Sequence, residues 1–149
     1  MKLFLDTNVL VDHALSRITG QSNEAKFLLS WALENEIPMF ISSASFYTFT
    51  YVLQKEGLKN NDLKTRLLLY LKILKVCNSS TTCFVNALNS GMKDIEDSYQ
   101  LQTALAVGCN FLITNNTKDF KFSNATNISI TSPYNFLTSI LRKTKGRDF

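Results

Sequence analysis

Histidine, tryptophan, proline and cysteine are all scarce in this 149-residue chain, at one, one, two and three copies. The cysteines, Cys77, Cys83 and Cys109, are odd in number and form no CxxC pair. Neither a disulfide framework nor a zinc site is therefore expected, and the three read as small buried hydrophobes in a reducing compartment. Five glycines and two prolines exclude a collagen-like or linker-dominated chain. No apolar run approaches the ~18–20 residues of a membrane helix. Met1-Lys2-Leu3-Phe4-Leu5 reaches Asp6 before a signal-peptide core can form. No membrane association and a cytoplasmic location are thus expected. P-loop, GxGxxG and GxSxG patterns are absent, which removes the usual hallmarks of nucleotide-binding and serine-hydrolase chemistry.

What is present is a globular composition. Hydrophobic residues make up 45% and charged residues 19%, which excludes intrinsic disorder. The length suits one domain, read here as residues 1–141. The net charge is +4, and it is unevenly placed. Arg142, Lys143, Lys145 and Arg147, against Asp148 alone, concentrate most of the excess in residues 142–149. The body is near neutral, and 142–149 reads as a basic C-terminal tail, either solvated or facing a polyanion.

Short apolar runs alternate with helical periodicity. Leu3–Leu5, Met39–Ile41, Lys75–Cys77, Phe111–Ile113 and Ile128–Ile130 read as strands. Helices are predicted over about 8–15, 22–34, 43–55, 61–74, 81–90, 94–107 and 133–141. The strands lack polar alternation, as expected where both sheet faces are covered. The predicted fold is α/β, with a central, mainly parallel sheet of about five strands flanked by helices.

In open parallel sheets, sites form beyond the carboxyl ends of strands. Asp6 follows the first strand; Thr114, Asn115 and Asn116 follow the run at 111–113. Asp94 and Asp97 lie three apart and share a helix face, while Glu96 points roughly 100° away from Asp97. Asp119 lies within reach of the Asn116 turn. The sequence places no basic residue among these acids, since Lys93 and Lys118 can point outward. Crowded carboxylates either take up protons or hold a hard divalent cation, and an all-oxygen set selects Mg²⁺ or Mn²⁺ over zinc. Such an ion polarises a phosphodiester and lowers the pKa of a bound water. Each residue also has a plainer reading: Asp6 and Asp94 as helix caps, Asn116 as an Asx turn, Asp119 as part of a turn. His13, the sole histidine, reads as a surface or helix-end residue. Phe46, Tyr47, Phe49 and Tyr51 read as core rather than as a base-stacking platform.

These residues also carry a resemblance. Leu3-Phe4-Leu5-Asp6-Thr7-Asn8-Val9-Leu10-Val11-Asp12 resembles the opening motif of PIN-domain ribonucleases, the group that includes the VapC-type toxins. Asp94-Ile95-Glu96-Asp97-Ser98-Tyr99-Gln100 resembles that family's third motif, and Ile113-Thr114-Asn115-Asn116-Thr117-Lys118-Asp119-Phe120 its fourth. The motifs arrive in family order over roughly residues 1–137. The resemblance implies a PIN-like three-layer fold and a Mg²⁺- or Mn²⁺-dependent ribonuclease. Its first acid falls on Asp6, its third on Asp97, and its fourth acidic position on Asn116, with Asp119 just after. Asp6, Asp97, Asn116 and Asp119 are the implied catalytic residues, and Asp6, Asp97, Glu96 and Asn116 the implied metal ligands. Thr7, Asn8, Thr48, Asp94 and Thr114 are expected to support them. The segment from Ile41 to Tyr51 holds no acid, and Thr48 stands where the family has its second. The implied partners are RNA, an antitoxin protein and a second copy of the chain as a homodimer.

The two missing acids motivate an alternative, a weakened or inactive module that binds RNA or protein without cutting. An aspartyl-phosphate enzyme is disfavoured, because it needs a second Asp two residues after Asp6, where the chain has Asn8.

Overall fold

Leu3, Phe4 and Leu5 are wholly buried, so the strand they form can only lie at the centre of a covered sheet. The structure, a computed structural model, describes residues 1–15, 20–120 and 127–149. Its strands are β1 (Leu3–Leu5), β2 (Met39–Ser42), β3 (Leu74–Cys77), β4 (Phe111–Ile113) and β5 (Ser129–Thr131). They form one sheet in the order β3-β2-β1-β4-β5, and every pairing is parallel. The expected α/β architecture is observed.

The helices are α1 (Thr7–Leu15), α2 (Gly20–Glu34), α3 (Ser43–Lys55), α4 (Asn60–Ile73), α5 (Thr81–Leu88), α6 (Ile95–Val107) and α7 (Pro133–Asn135). The last runs on into a π-helical turn, Phe136–Ile140, where a single regular helix was expected. A 3₁₀ turn spans Thr117–Phe120. One core cluster joins β1 and β2 to α1–α4 and includes Leu10, Leu28, Ile41, Phe49 and Leu53. The other, around Phe4, Leu101, Ala104 and Leu112, packs α6 on the opposite face. The side-chain stripe of α3 divides its aromatics. Phe49 is fully buried and Phe46 packs against the core, whereas Tyr47 and Tyr51 face solvent.

Local chemistry sets the helix ends that matter for the site. Ser42 caps α3 by accepting from the Ser45 amide. Asp94 caps α6 by accepting from the Asp97 amide at 3.0 Å. At its other end α6 stops at Gly108, whose φ of 72° is the left-handed conformation glycine adopts without strain.

Residues 142–149 do not project as a free tail. Lys145 pairs with the buried Glu24 of α2 at 2.9 Å, and the Phe149 ring lies 5.5 Å from that of Phe27. Burial of Phe149 and neutralisation of Glu24 outweigh the solvation of this short basic stretch. Among the described residues no helix is long and apolar enough to cross a membrane.

Candidate active site

The parallel register between β1 and β4 pairs Leu5 with Ile113 and brings the two strand ends level. Asp6 and Thr114 therefore leave the sheet side by side. The Asp6 amide donates to the Ile113 carbonyl at 2.9 Å, and Thr114 Oγ1 donates to Asp6 Oδ2 at 2.7 Å. Asn8 Nδ2 donates to the same oxygen at 2.6 Å. Burial pushes the Asp6 carboxyl above its usual range, against the opposing pull of Thr114, the Thr7 amide and Asn8. Thr7 and Asn8 both contact Asp6, Thr7 through its backbone.

A second layer of bonds holds the β4 turn. Asn8 Oδ1 accepts from the Asn115 amide at 3.1 Å, and Asn115 Nδ2 donates to the buried Asp12 at 2.6 Å. Asn8 and Asp12 are four residues apart on α1, so one face of the helix grips Asn115 twice. The i,i+4 spacing of Asn8 and Asp12 is the sequence signal for this pair of bonds. Thr114 Oγ1 also accepts from the Asn116 amide at 3.0 Å.

Asp94, Asp97 and Asp119 each bring a carboxylate oxygen within 4.8 Å of the others. One oxygen of Asp97 is buried and has no hydrogen-bond partner. Burial and then the charge of Asp6, followed by those of Asp94, Asp119 and Glu96, push the Asp97 carboxyl up to about 7. Asp6 is thus the strongest single charge acting on Asp97. It does not, however, belong to the close triplet. Asp94 proves to be both cap and cluster member, since a carboxylate has two oxygens to share.

Besides Asp6, the residues Glu96, Thr48 and Asn116 also stand apart from the triplet. Glu96 turns to the other side of α6 and lines a separate cleft with Ser42, Asn78 and Tyr99. The roughly 100° step between helical neighbours accounts for that separation. Thr48 is exposed, and its hydroxyl bonds back to the Ala44 carbonyl of its own helix at 3.3 Å. Its place on the outer face of α3 follows from the register that buries Ser45 and Phe49. Asn116 reaches the cluster indirectly, donating through its amide to the Asp119 carboxylate. Lys93 and Lys118 are exposed, and with Asp94 and Asp119 they line a cleft of about 250 Å³.

This donor set fits a hard divalent cation. The ligands are all carboxylate oxygens, their charges are crowded, and a buried Asp97 oxygen has no other partner. Asp97, Asp94 and Asp119 are the residues that would hold such an ion, with Asp6 adding charge from β1.

Comparison with known proteins identifies relatives of the fold. A chain in a toxin–antitoxin complex from Klebsiella pneumoniae superposes with a TM-score of 0.63 at 28% identity, over 90% of this chain and 98% of that one. VapBC2 from Rickettsia felis, bound to a DNA fragment from its promoter, gives a TM-score of 0.65 at 21% identity, over 89% and 98%. The Mycobacterium tuberculosis toxin VapC20, described as cleaving the sarcin–ricin loop, gives 0.61 at 10% identity, over 83% and 98%. No curated protein matches in sequence. The sequence profile of the PIN domain matches residues 2–118, a span that holds Asp6, Asp94 and Asp97 and ends one residue before Asp119. The match covers well over half of the chain, with β1–β4, Asp6 and the α6 carboxylates inside it, and the chain belongs to the PIN-domain family.

Proposed function

We propose that this chain is a ribonuclease that hydrolyses RNA phosphodiester bonds with Mg²⁺ or Mn²⁺, and that it is the toxin of a toxin–antitoxin pair. The observation that carries the reading is the buried, unpartnered oxygen of Asp97, set among Asp94 and Asp119 and under the charge of Asp6. Unpaired acids in such a place are costly unless a cation compensates them. When bound, the cation supplies neutralising charge and polarises the phosphodiester and a water.

The chain's own groups supply the rest. Thr114 and Asn8 fix the Asp6 carboxylate by two hydrogen bonds, so it presents one orientation to the substrate. Asp94 orders the first turn of α6 and with it the direction of Asp97. Asn116 holds Asp119. Lys93 and Lys118, at the mouth of the same cleft, attract the RNA backbone to an otherwise acidic site. The likeness to toxin–antitoxin structures supports an antitoxin partner; a homodimer and action on RNA in the cytoplasm complete the proposal.

The exposed, self-bonded Thr48 favours a second reading, in which the protein binds RNA without cutting it. Incubation of RNA with the protein in Mn²⁺ or in EDTA separates the two, with Asp97→Asn as control. Cleavage that needs Mn²⁺ and is lost in the variant is expected. RNA binding that ignores EDTA and yields no product would replace the nuclease reading with the binding one.

A further inference from the structure

The geometry points to the cleft between the ends of β2 and β3 and the first turn of α6 as a nucleobase subsite that selects guanine. The cleft has a volume of about 270 Å³ and is lined by Glu96, Gln100, Asn78, Ser43, Phe84 and Tyr99, among others. That is just below the ~300–1,000 Å³ of pockets that take drug-sized ligands, and it suits one ring system rather than a whole nucleotide.

Its position ties it to the acids. Ser42 closes β2 and Asn78 follows β3, so the cleft opens on the same carboxyl edge of the sheet as Asp6. Glu96 and Asp97 are consecutive on α6 and diverge, one toward this cleft and the other toward the carboxylate triplet. An RNA strand whose phosphate lies at Asp97 has a neighbouring base within reach of Glu96.

An independent feature marks the cleft as a binding site. Gln100 is almost fully buried, and its Nε2 donates to Ser45 Oγ at 2.5 Å. Its Oε1 is buried with no hydrogen-bond partner. A buried acceptor left this way is unfavourable, and a small shift of the Gln100 side chain would bring it to a ligand N–H in the cleft.

The lining chemistry identifies the base. Glu96 offers two adjacent acceptor oxygens and Gln100 a third; Asn78 and Ser43 offer donors. Phe84 and Tyr99 stand edge to face at 4.9 Å, which leaves a ring face for stacking. Of the four bases, guanine alone carries two neighbouring N–H donor groups, N1–H and N2–H₂, beside the acceptors O6 and N7. Uracil has one ring N–H, and adenine and cytosine have one amino group each, so none of them satisfies both carboxylate oxygens. No lysine or arginine lines this cleft, while Lys93 and Lys118 line the other, so bases and phosphates are received on opposite sides of α6.

The consequence for cleavage rests on the ribonuclease reading, but binding can be tested without it. The metal-free protein in EDTA is titrated with guanosine, adenosine, cytidine and uridine, followed by amide chemical shifts. Guanosine should move the amides of Asn78, Tyr99 and Gln100 and bind about tenfold or more tightly than the others, the size of one charged hydrogen bond. Glu96→Gln and Asn78→Ala should each reduce that preference, with circular dichroism unchanged. In Mn²⁺, a randomised RNA should yield product ends with guanine enriched at one fixed position, and E96Q should lose the enrichment. Equal affinity for all four nucleosides, or shifts confined to other surfaces, would overturn the inference. So would an enrichment that E96Q leaves intact. Absence of cleavage by the wild type would overturn the nuclease reading alone, and the guanosine titration would still decide the cleft.

Discussion

Thr114 Oγ1 donates to Asp6 Oδ2 at 2.7 Å, linking residues 108 positions apart in the chain. The bond exists because β1 and β4 are parallel neighbours in register. The Thr114 hydroxyl also accepts from the Asn116 amide, so one buried oxygen orders both sides of the site. Replacing it by the near-isosteric Thr114→Val leaves a carboxylate and an amide short of a partner. The expected cost is about 1–3 kcal/mol of unfolding free energy, read by urea denaturation. Activity should fall as well, because Asp6 then loses its fixed orientation.

Asp97 is the acid on which the site is most strained electrostatically, with four acidic neighbours raising its pKa. Asp97→Asn removes that repulsion. The metal-free variant should therefore melt at a higher temperature than the wild type at pH 8, while Mn²⁺-dependent cleavage falls by about a hundredfold or more. A variant that loses both stability and activity would show the acid to be structural.

The pKa of about 7 at Asp97 also sets a pH dependence. The folded state holds this proton more tightly than the unfolded chain does. Its contribution to the stability of the metal-free protein is therefore fully present below about pH 4 and is lost as pH rises to about 7. Mn²⁺ and the proton compete for the same carboxylate. Cation binding should release a proton near pH 6.5, measurable by calorimetry in buffers of different ionisation enthalpy. Saturating Mn²⁺ should raise Tm more at pH 8 than at pH 5.5.

His13 gives an independent titration of opposite sign. Its Nδ1 lies 2.5 Å from Tyr70 Oη, and burial, then Lys26 and Arg66, lower its pKa below 6.5. Stability from the neutral ring is full above pH 6.5 and declines as pH falls through the lowered value. As the only histidine, it has an unambiguous ring-proton NMR signal, whose midpoint should lie below 6.5 and rise in Lys26→Gln.

Removal of residues 145–149 takes away the Lys145 partner of the buried Glu24 and the Phe149 contact with Phe27. The truncated protein should lose several degrees in Tm, and Glu24→Gln should restore part of the loss by discharging the orphaned carboxylate. An unchanged Tm on truncation would show that the packing contributes nothing.

Strand and helix positions were legible because apolar runs, helical periodicity and end signals such as Asp94 and Gly108 act over a few residues. A mainly parallel sheet was expected from the alternation of those elements, and every pairing proves parallel. The π-helical turn at Phe136–Ile140 was not legible, since Phe136 and Leu137 answer to core packing rather than to local propensity. The basic stretch at 142–149 misled for a similar reason: charge counts do not reveal a buried Glu24 on another helix.

By itself the sequence determined which acids lie at strand and helix ends, since that depends on local pattern: Asp6, Asp94, Asp97 and Asp119. Only the tertiary structure decided how they group. It joined Asp94, Asp97 and Asp119, set Asp6 beside Thr114, brought Lys93 and Lys118 to the cleft, and sent Glu96 to the far side of α6. The physical reason is that side-chain direction across a site depends on strand register and helix rotation. Both are set by the burial of residues such as Phe4, Leu101 and Phe49, which lie away from the chemistry.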